Sequence, residues 1–78
     1  MRARAEFTIE PFVDGSLGPH VMAALDAVRA NGLEPDIGPF ATIVEADAAA
    51  VTTAVAALVD AARKAGAQRI SLQLDFFD

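Results

Sequence analysis

The sequence predicts an α+β domain of element order β-α-β-β-α-β, with a four-stranded antiparallel sheet of spatial order 4-1-3-2 and both helices on one face. Three observations predict it. Apolar and polar residues alternate with a period of two near each end of the 78-residue chain. Two apolar stripes of helical spacing lie between those ends. The stretch separating the stripes is broken by proline and glycine into two short β-rich segments.

The first strand is read over Ala5 to Pro11, with Ala5, Phe7 and Ile9 on one face and Glu6, Thr8 and Glu10 on the other. Asp14-Gly15-Ser16-Leu17-Gly18 supplies turn chemistry. Pro19 suits the first position of a helix capped by Gly18. Val21, Leu25 and Val28 then form one apolar stripe on a helix that ends at Asn31-Gly32. Leu33 to Ile37 contains Pro35, so a strand there belongs at a sheet edge, where a missing N–H is tolerated. Gly38-Pro39 turns the chain into a better strand, Phe40 to Ala46.

Asp47 is the expected N-cap of the second helix, in which Val51, Val55, Leu58, Val59 and Ala62 form the buried stripe. Arg63 and Lys64 sit favourably near its C-terminal end, and Gly66 takes the left-handed position after it. The last strand alternates again, with Ile70, Leu72, Leu74 and Phe76 on one face and Arg69, Ser71, Gln73 and Asp75 on the other. Right-handed crossovers and short connections let this order close as the ferredoxin-like sandwich. Its two β-α-β halves carry no residue-level repeat.

Helices cover one face of such a sheet. The open face is expected to be polar and acidic, displaying Glu6, Thr8, Glu10, Ser71, Gln73 and Asp75, together with Thr42 and Val44 from the third strand. The last strand is an outer strand without proline and ends in Phe76-Phe77, which cannot both point into one core. Such an edge is a liability that pairing with another chain removes, so a homo-oligomer is expected. Pro35 protects the opposite edge.

The length suits a single domain spanning residues 1–78. With 54% hydrophobic and 22% charged residues the composition is globular, and much of the apolar share is alanine, which favours closely spaced elements. Six basic against eleven acidic residues give a net charge of −5, which repels phosphate backbones and argues against nucleic acid as a partner. Apolar runs fall well short of the ~20 residues that span a bilayer. Met1-Arg2-Ala3-Arg4 leads into Glu6 without an apolar segment, so no membrane association and a cytoplasmic location are expected.

Catalytic chemistry is poorly represented. Cysteine is absent, which removes disulfides, thiolate metal sites and a cysteine nucleophile. The single histidine, His20, lies four residues after Ser16, but a Ser-His pair also needs an orienting acid, for which Asp14 is the local candidate, and an oxyanion hole. A partly exposed histidine near a helix terminus is the simpler reading. One histidine with scattered carboxylates shows no metal-ligand spacing, and Lys64 reads as a helix-dipole partner. Gly15-Ser16-Leu17-Gly18 before a helix can hold an anion on its backbone N–H groups. It lacks the lysine of a phosphate-binding loop, and as a turn it needs no ligand. Thr42 and Glu45 flank two β-branched residues. Taken alone, they read first as a good strand residue and a carboxylate favouring the following helix N-terminus.

The chain resembles the small thiamine-binding protein family over nearly its whole length. The resemblance rests on Phe7-Thr8-Ile9-Glu10-Pro11 before the Gly15 loop, on Asn31-Gly32-Leu33, and on Gly38-Pro39-Phe40-Ala41-Thr42-Ile43-Val44-Glu45. Gly66-Ala67-Gln68-Arg69-Ile70 completes it. The Thr-x-x-Glu element after Gly-Pro is its most specific part. The resemblance implies the ferredoxin-like fold, dimers or tetramers assembled through the sheets, and binding of thiamine or its hydroxymethylpyrimidine part without catalysis and without a cofactor.

It also turns Glu45, Thr42, Phe40 and Ser16 into candidate ligand-binding residues, in a pocket completed by a neighbouring subunit. A carboxylate such as Glu45 accepts the exocyclic amine of an aminopyrimidine or pairs with its protonated ring nitrogen. Thr42 supplies a second hydrogen bond, Phe40 an aromatic surface, and Ser16 lies on the nearby loop. Ala41, Ala46, Gly18-Pro19, Gln73 and Phe77 depart from the family's pattern and bear on ligand identity rather than on the scaffold. The alternatives are a regulatory or scaffolding oligomer without a vitamin ligand and, more remotely, a subunit-bridging acid-base site built from Glu45, Glu6 or Glu10.

Overall fold

A computed structural model describes residues 1–13 and 15–78; Asp14, read above as part of the first turn and as the local acid near His20, lies outside the described residues. β1 (Arg2–Glu10), α1 (Pro19–Ala30), β2 (Asp36–Ile37), β3 (Thr42–Asp47), α2 (Ala48–Lys64) and β4 (Arg69–Phe77) follow in the expected order. The sheet runs β2-β3-β1-β4 with every neighbouring pair antiparallel, which is 4-1-3-2 read from the other edge. This is the ferredoxin-like arrangement.

β1 is the spine of the sheet because its alternation is the cleanest in the chain. Ala3, Ala5, Phe7 and Ile9 are buried, while Arg4, Glu6, Thr8 and Glu10 are half-buried on the other face. Val44 of β3 and the helix residues Ala24, Val28, Val51, Leu58 and Ala62 complete the core. Five of its positions are alanines (Ala3, Ala5, Ala24, Ala54 and Ala62), with Ala46 packed beside them, so backbones approach closely and each bulky side chain carries a large share of the burial. Fully burying a leucine or valine contributes about 1.5–3 kcal/mol relative to exposure. Leu25 and Leu58, among the largest fully buried side chains, are the main anchors.

The helix boundaries follow the predicted chemistry. Asp47 ends β3 and also caps α2, its carboxylate accepting a hydrogen bond from the Ala49 N–H at 3.2 Å. Gly66 follows α2 at φ +107° and Gly32 follows α1 at φ +81°, the left-handed conformation that glycine adopts without a Cβ penalty. Near the α2 C-terminus Arg63 and Lys64 reach Asp60 at 2.8 and 2.9 Å. Hydrogen bonds from Lys64 first and Arg63 second hold that exposed carboxyl below its ordinary value.

Several boundaries and faces differ from the sequence reading. β1 begins at Arg2 rather than Ala5, because Arg2, Ala3 and Arg4 find partners on both β3 and β4. β2 shrinks to two residues after Pro35, whose ring supplies no N–H to a ladder. Val59 is exposed and Ala54 takes its place in the buried stripe of α2. Thr42 and Val44 do not lie on the open face. Their register partners are Phe7 and Ala5, so they join the buried side, and Ile43 and Glu45 face outward instead.

His20 also differs from expectation. It is buried, and its ring Nε2 donates to the Pro11 carbonyl at 2.6 Å, because a carbonyl oxygen can only accept. Gly18 closes over the ring: a Cβ there would come within 2.5 Å of the His20 Cε1. The histidine therefore ties the chain after β1 to the start of α1, and it is taken up by the backbone rather than by Ser16.

Candidate functional site

The open face of the sheet is built from the polar phase of three strands. Across β3, β1 and β4 the register aligns Glu45–Arg4–Asp75 and Ile43–Glu6–Gln73, and further along β1 and β4 it pairs Thr8 with Ser71 and Glu10 with Arg69. Direct partners on one face have Cβ atoms about 4.5–5.5 Å apart, so Glu6, Gln73, Thr8 and Ser71 form a contiguous quartet.

A notch opens beside that quartet. β4 accompanies β1 along its whole length, but β3 starts at Thr42 and pairs β1 only as far as Phe7. Past that point Thr8 to Glu10 lose a neighbour on one side, and the small Ala41 leaves the space unfilled. A depression of about 300 Å³ results, lined by Glu6, Thr8, Ala41, Ser71 and Gln73. That volume is at the lower end of the range for small-molecule sites.

A second depression, of about 160 Å³, adjoins the first through Phe7, Thr8 and Ala41. Its wall is apolar: Phe12 and Leu17 come from the chain between β1 and α1, Ile37 from β2, and Phe40 from the turn between β2 and β3. Phe40 is 89% exposed and Phe12 70%. Two nearly naked aromatic rings on neighbouring loops are unusual for a surface that meets only water.

The electrostatics of the open face are mixed rather than uniformly acidic. Arg2 lies 3.7 Å from Glu45, Arg4 lies 3.5 Å from Glu6, and Arg69 lies 4.0 Å from Glu10. These exposed pairs contribute little to stability, ~0–1 kcal/mol each. They do leave each carboxylate free to exchange an arginine for a cationic or amine-bearing ligand. Gln73 donates to Asp75 at 3.2 Å, which orients its amide along the face.

The four residues singled out from sequence do not converge on one point. Phe40 and Thr42 line the same apolar depression, and Ser16 is exposed next to Leu17 of its wall. Glu45 lies on the opposite sheet face from Thr42 and three residues further along the strand, roughly 10 Å away at ~3.3 Å per residue. It lines neither depression and pairs with Arg2. Glu6, Thr8, Ser71 and Gln73 were legible as members of one face, but not as neighbours. Only the β1–β4 register brings them together.

Among the described residues no group of three or more histidine and carboxylate side chains is arranged to hold a metal ion. No helix among them is long and apolar enough to cross a membrane.

A family model described as thiamine-binding protein matches residues 5–77. Among solved structures, a domain of unknown function from Bacillus cereus is similar at a TM-score of 0.71 and 19% identity, covering 97% of this chain and 76% of that one. A hypothetical protein from Methanocaldococcus jannaschii is similar at a TM-score of 0.72 and 20% identity, covering 99% and 81%. The "putative thiamine biosynthesis/salvage protein" of Thermotoga maritima is similar at a TM-score of 0.67 and 26% identity, covering 96% and 81%. A comparison with curated proteins finds no match.

Proposed function

We propose that this chain, which belongs to the thiamine-binding protein family, is a non-catalytic, homo-oligomeric binding protein for thiamine or its hydroxymethylpyrimidine part. The observation that carries the reading is the notch itself, where one carboxylate, two hydroxyls and a primary amide surround a cavity that adjoins exposed aromatic rings. An aminopyrimidine presents an exocyclic amine and ring nitrogens in one plane. Glu6 accepts from the amine or pairs with a protonated ring nitrogen, and Thr8, Ser71 and Gln73 supply donors and acceptors around it. Phe40 and Phe12 offer faces to the second ring, and the cationic thiazolium suits a chain of net charge −5.

In this reading Thr42 and Phe40 belong to the apolar half of the site, Ser16 to its rim, and Glu45 to the surrounding field. The absence of catalysis is supported by the state of the single histidine, whose Nε2 is engaged by the Pro11 carbonyl. Isothermal calorimetry with thiamine, hydroxymethylpyrimidine and a riboflavin control tests the proposal, and heat is the right signal because the chain has no Trp or Tyr. Saturable binding of the first two at micromolar levels, about −8 kcal/mol, is expected. Silence up to millimolar concentration from a stable oligomer overturns it in favour of a scaffolding module, the reading that the long unpaired edge of β4 favours.

A further inference from the structure

Between β1 and α1 the chain leaves the sheet after Glu10 and enters the helix at Pro19, and on the way it supplies Phe12 and Leu17 to the wall of the apolar depression. Both side chains are exposed, at 70% and 47%, so burial does little to hold them. Among the described residues, a single hydrogen bond ties residues 11–13 and 15–17 to another element of the fold: His20 Nε2 donates to the Pro11 carbonyl at 2.6 Å.

The histidine itself is firmly placed. It is the second residue of α1, whose Leu25 and Val28 are buried in the core, and its own side chain is buried. An imidazole at that depth is costly without a partner, so ring and carbonyl hold each other. Gly18 is buried between the ring and Val13: a Cβ on it would lie 2.5 Å from His20 Cε1 and 3.1 Å from Val13 Cγ2. The hydrogen bond therefore fixes the chain one residue before Phe12, and the Gly18 contact fixes it one residue after Leu17. Val21, the next residue of α1, lines the same depression. Three apolar side chains of the wall are set around one ring.

We propose, on the vitamin-binding reading above, that His20 is a positioning residue: it holds Phe12 and Leu17 where the second ring of thiamine lies against them, and so gives the chain a preference for thiamine over the hydroxymethylpyrimidine part alone. The two depressions divide the labour. Glu6, Thr8, Ser71 and Gln73 stand on β1 and β4, which the sheet ladder fixes without help from His20. The apolar wall stands on a connection that the histidine holds. Ordering such a segment at the moment of binding costs affinity, and holding it beforehand removes that cost. A ligand with one ring, seated in the notch, gains nothing from the clamp.

Calorimetry of the parent chain, His20→Gln and His20→Ala with both ligands tests the selection. The glutamine amide can donate in place of Nε2, and alanine cannot. His20→Ala is expected to weaken thiamine about tenfold and hydroxymethylpyrimidine less than about twofold, and His20→Gln to bring thiamine back to within about threefold of the parent. Gly18→Ala crowds the ring from its other side and should give the same selective loss, which keeps the test open if His20→Ala does not fold. Ligand-free ¹⁵N relaxation tests the positioning. The heteronuclear NOE at Phe12, Val13 and Leu17 is expected to fall in His20→Ala and hold in His20→Gln, with Val28 and Leu58 at their parent values in both. Equal weakening of the two ligands, a parent chain without preference for thiamine, or an unchanged NOE at Phe12 and Leu17 overturns the proposal. If the parent binds neither ligand, the vitamin-binding reading falls and takes the selectivity with it, whereas the relaxation measurement alone still upholds or overturns His20 as the residue that holds the wall.

Discussion

Replacing Leu58 with alanine is expected to remove about 2–5 kcal/mol of stability, the range for deleting a fully buried leucine whose surroundings relax only partly. Leu58 is 0% exposed on the core-facing stripe of α2, in a core where many neighbours are alanines. Alanine side chains have no rotamers with which to fill a cavity, so the upper half of that range applies. A chain of this length has roughly 4–12 kcal/mol in total at ~0.05–0.15 kcal/mol per residue, and the variant should be close to unfolding. Met22, 41% exposed on α1, is the contrast: Met22→Ala should change stability by about 0.5 kcal/mol or less. Urea unfolding followed by circular dichroism checks both. Equal midpoints for the two variants would show that the core does not lie where the α2 stripe puts it.

The second large effect concerns the ligand. Glu6→Gln is expected to weaken pyrimidine binding about 10- to 100-fold, because a hydrogen bond to a charged group is worth about 1.5–3 kcal/mol and each 1.4 kcal/mol is a factor of ten. Glu45→Gln should weaken it by no more than about threefold, through the field alone, since Glu45 is engaged with Arg2 and lines neither depression. Calorimetric titration of the two variants side by side with the parent chain is the measurement. If Glu45→Gln loses affinity and Glu6→Gln keeps it, the carboxylate that reads the ligand is the one in the Thr-x-x-Glu element, and the notch is not the pyrimidine site.

That contrast marks where sequence reasoning stops. Strands with strict alternation were legible: Phe7 and Ile9 against Glu6 and Thr8, or Leu72 and Leu74 against Ser71 and Gln73, admit one phase only. So were the α2 N-cap at Asp47 and the glycines after both helices, each of which depends on a local residue. β3 was not legible in the same way. In Ala41-Thr42-Ile43-Val44 both phases carry a β-branched residue, and the choice is made by register against Ala5 and Phe7, which periodicity cannot supply. Val59 and Ala54 exchanged places for a related reason. Alanine gives a weak hydrophobic signal, yet in a tightly spaced core it is what fits under a crossing helix.

The candidate site divides along the same line. Phe40 and Thr42 were found through a local motif, and they do share a depression. The quartet of Glu6, Thr8, Ser71 and Gln73 joins residues more than sixty positions apart in the chain, and its members become neighbours through the β1–β4 ladder. His20 was misread for want of its partner: nothing local says that the Pro11 carbonyl comes back to within 2.6 Å of its ring.

The most direct measurement is a ¹H–¹⁵N correlation titration of the labelled chain with hydroxymethylpyrimidine. Shifts that saturate and cluster at Glu6, Thr8, Ala41, Ser71 and Gln73, fading toward Glu45, are the result predicted here. Saturating shifts centred on α2, or an unperturbed spectrum at millimolar pyrimidine, would contradict it.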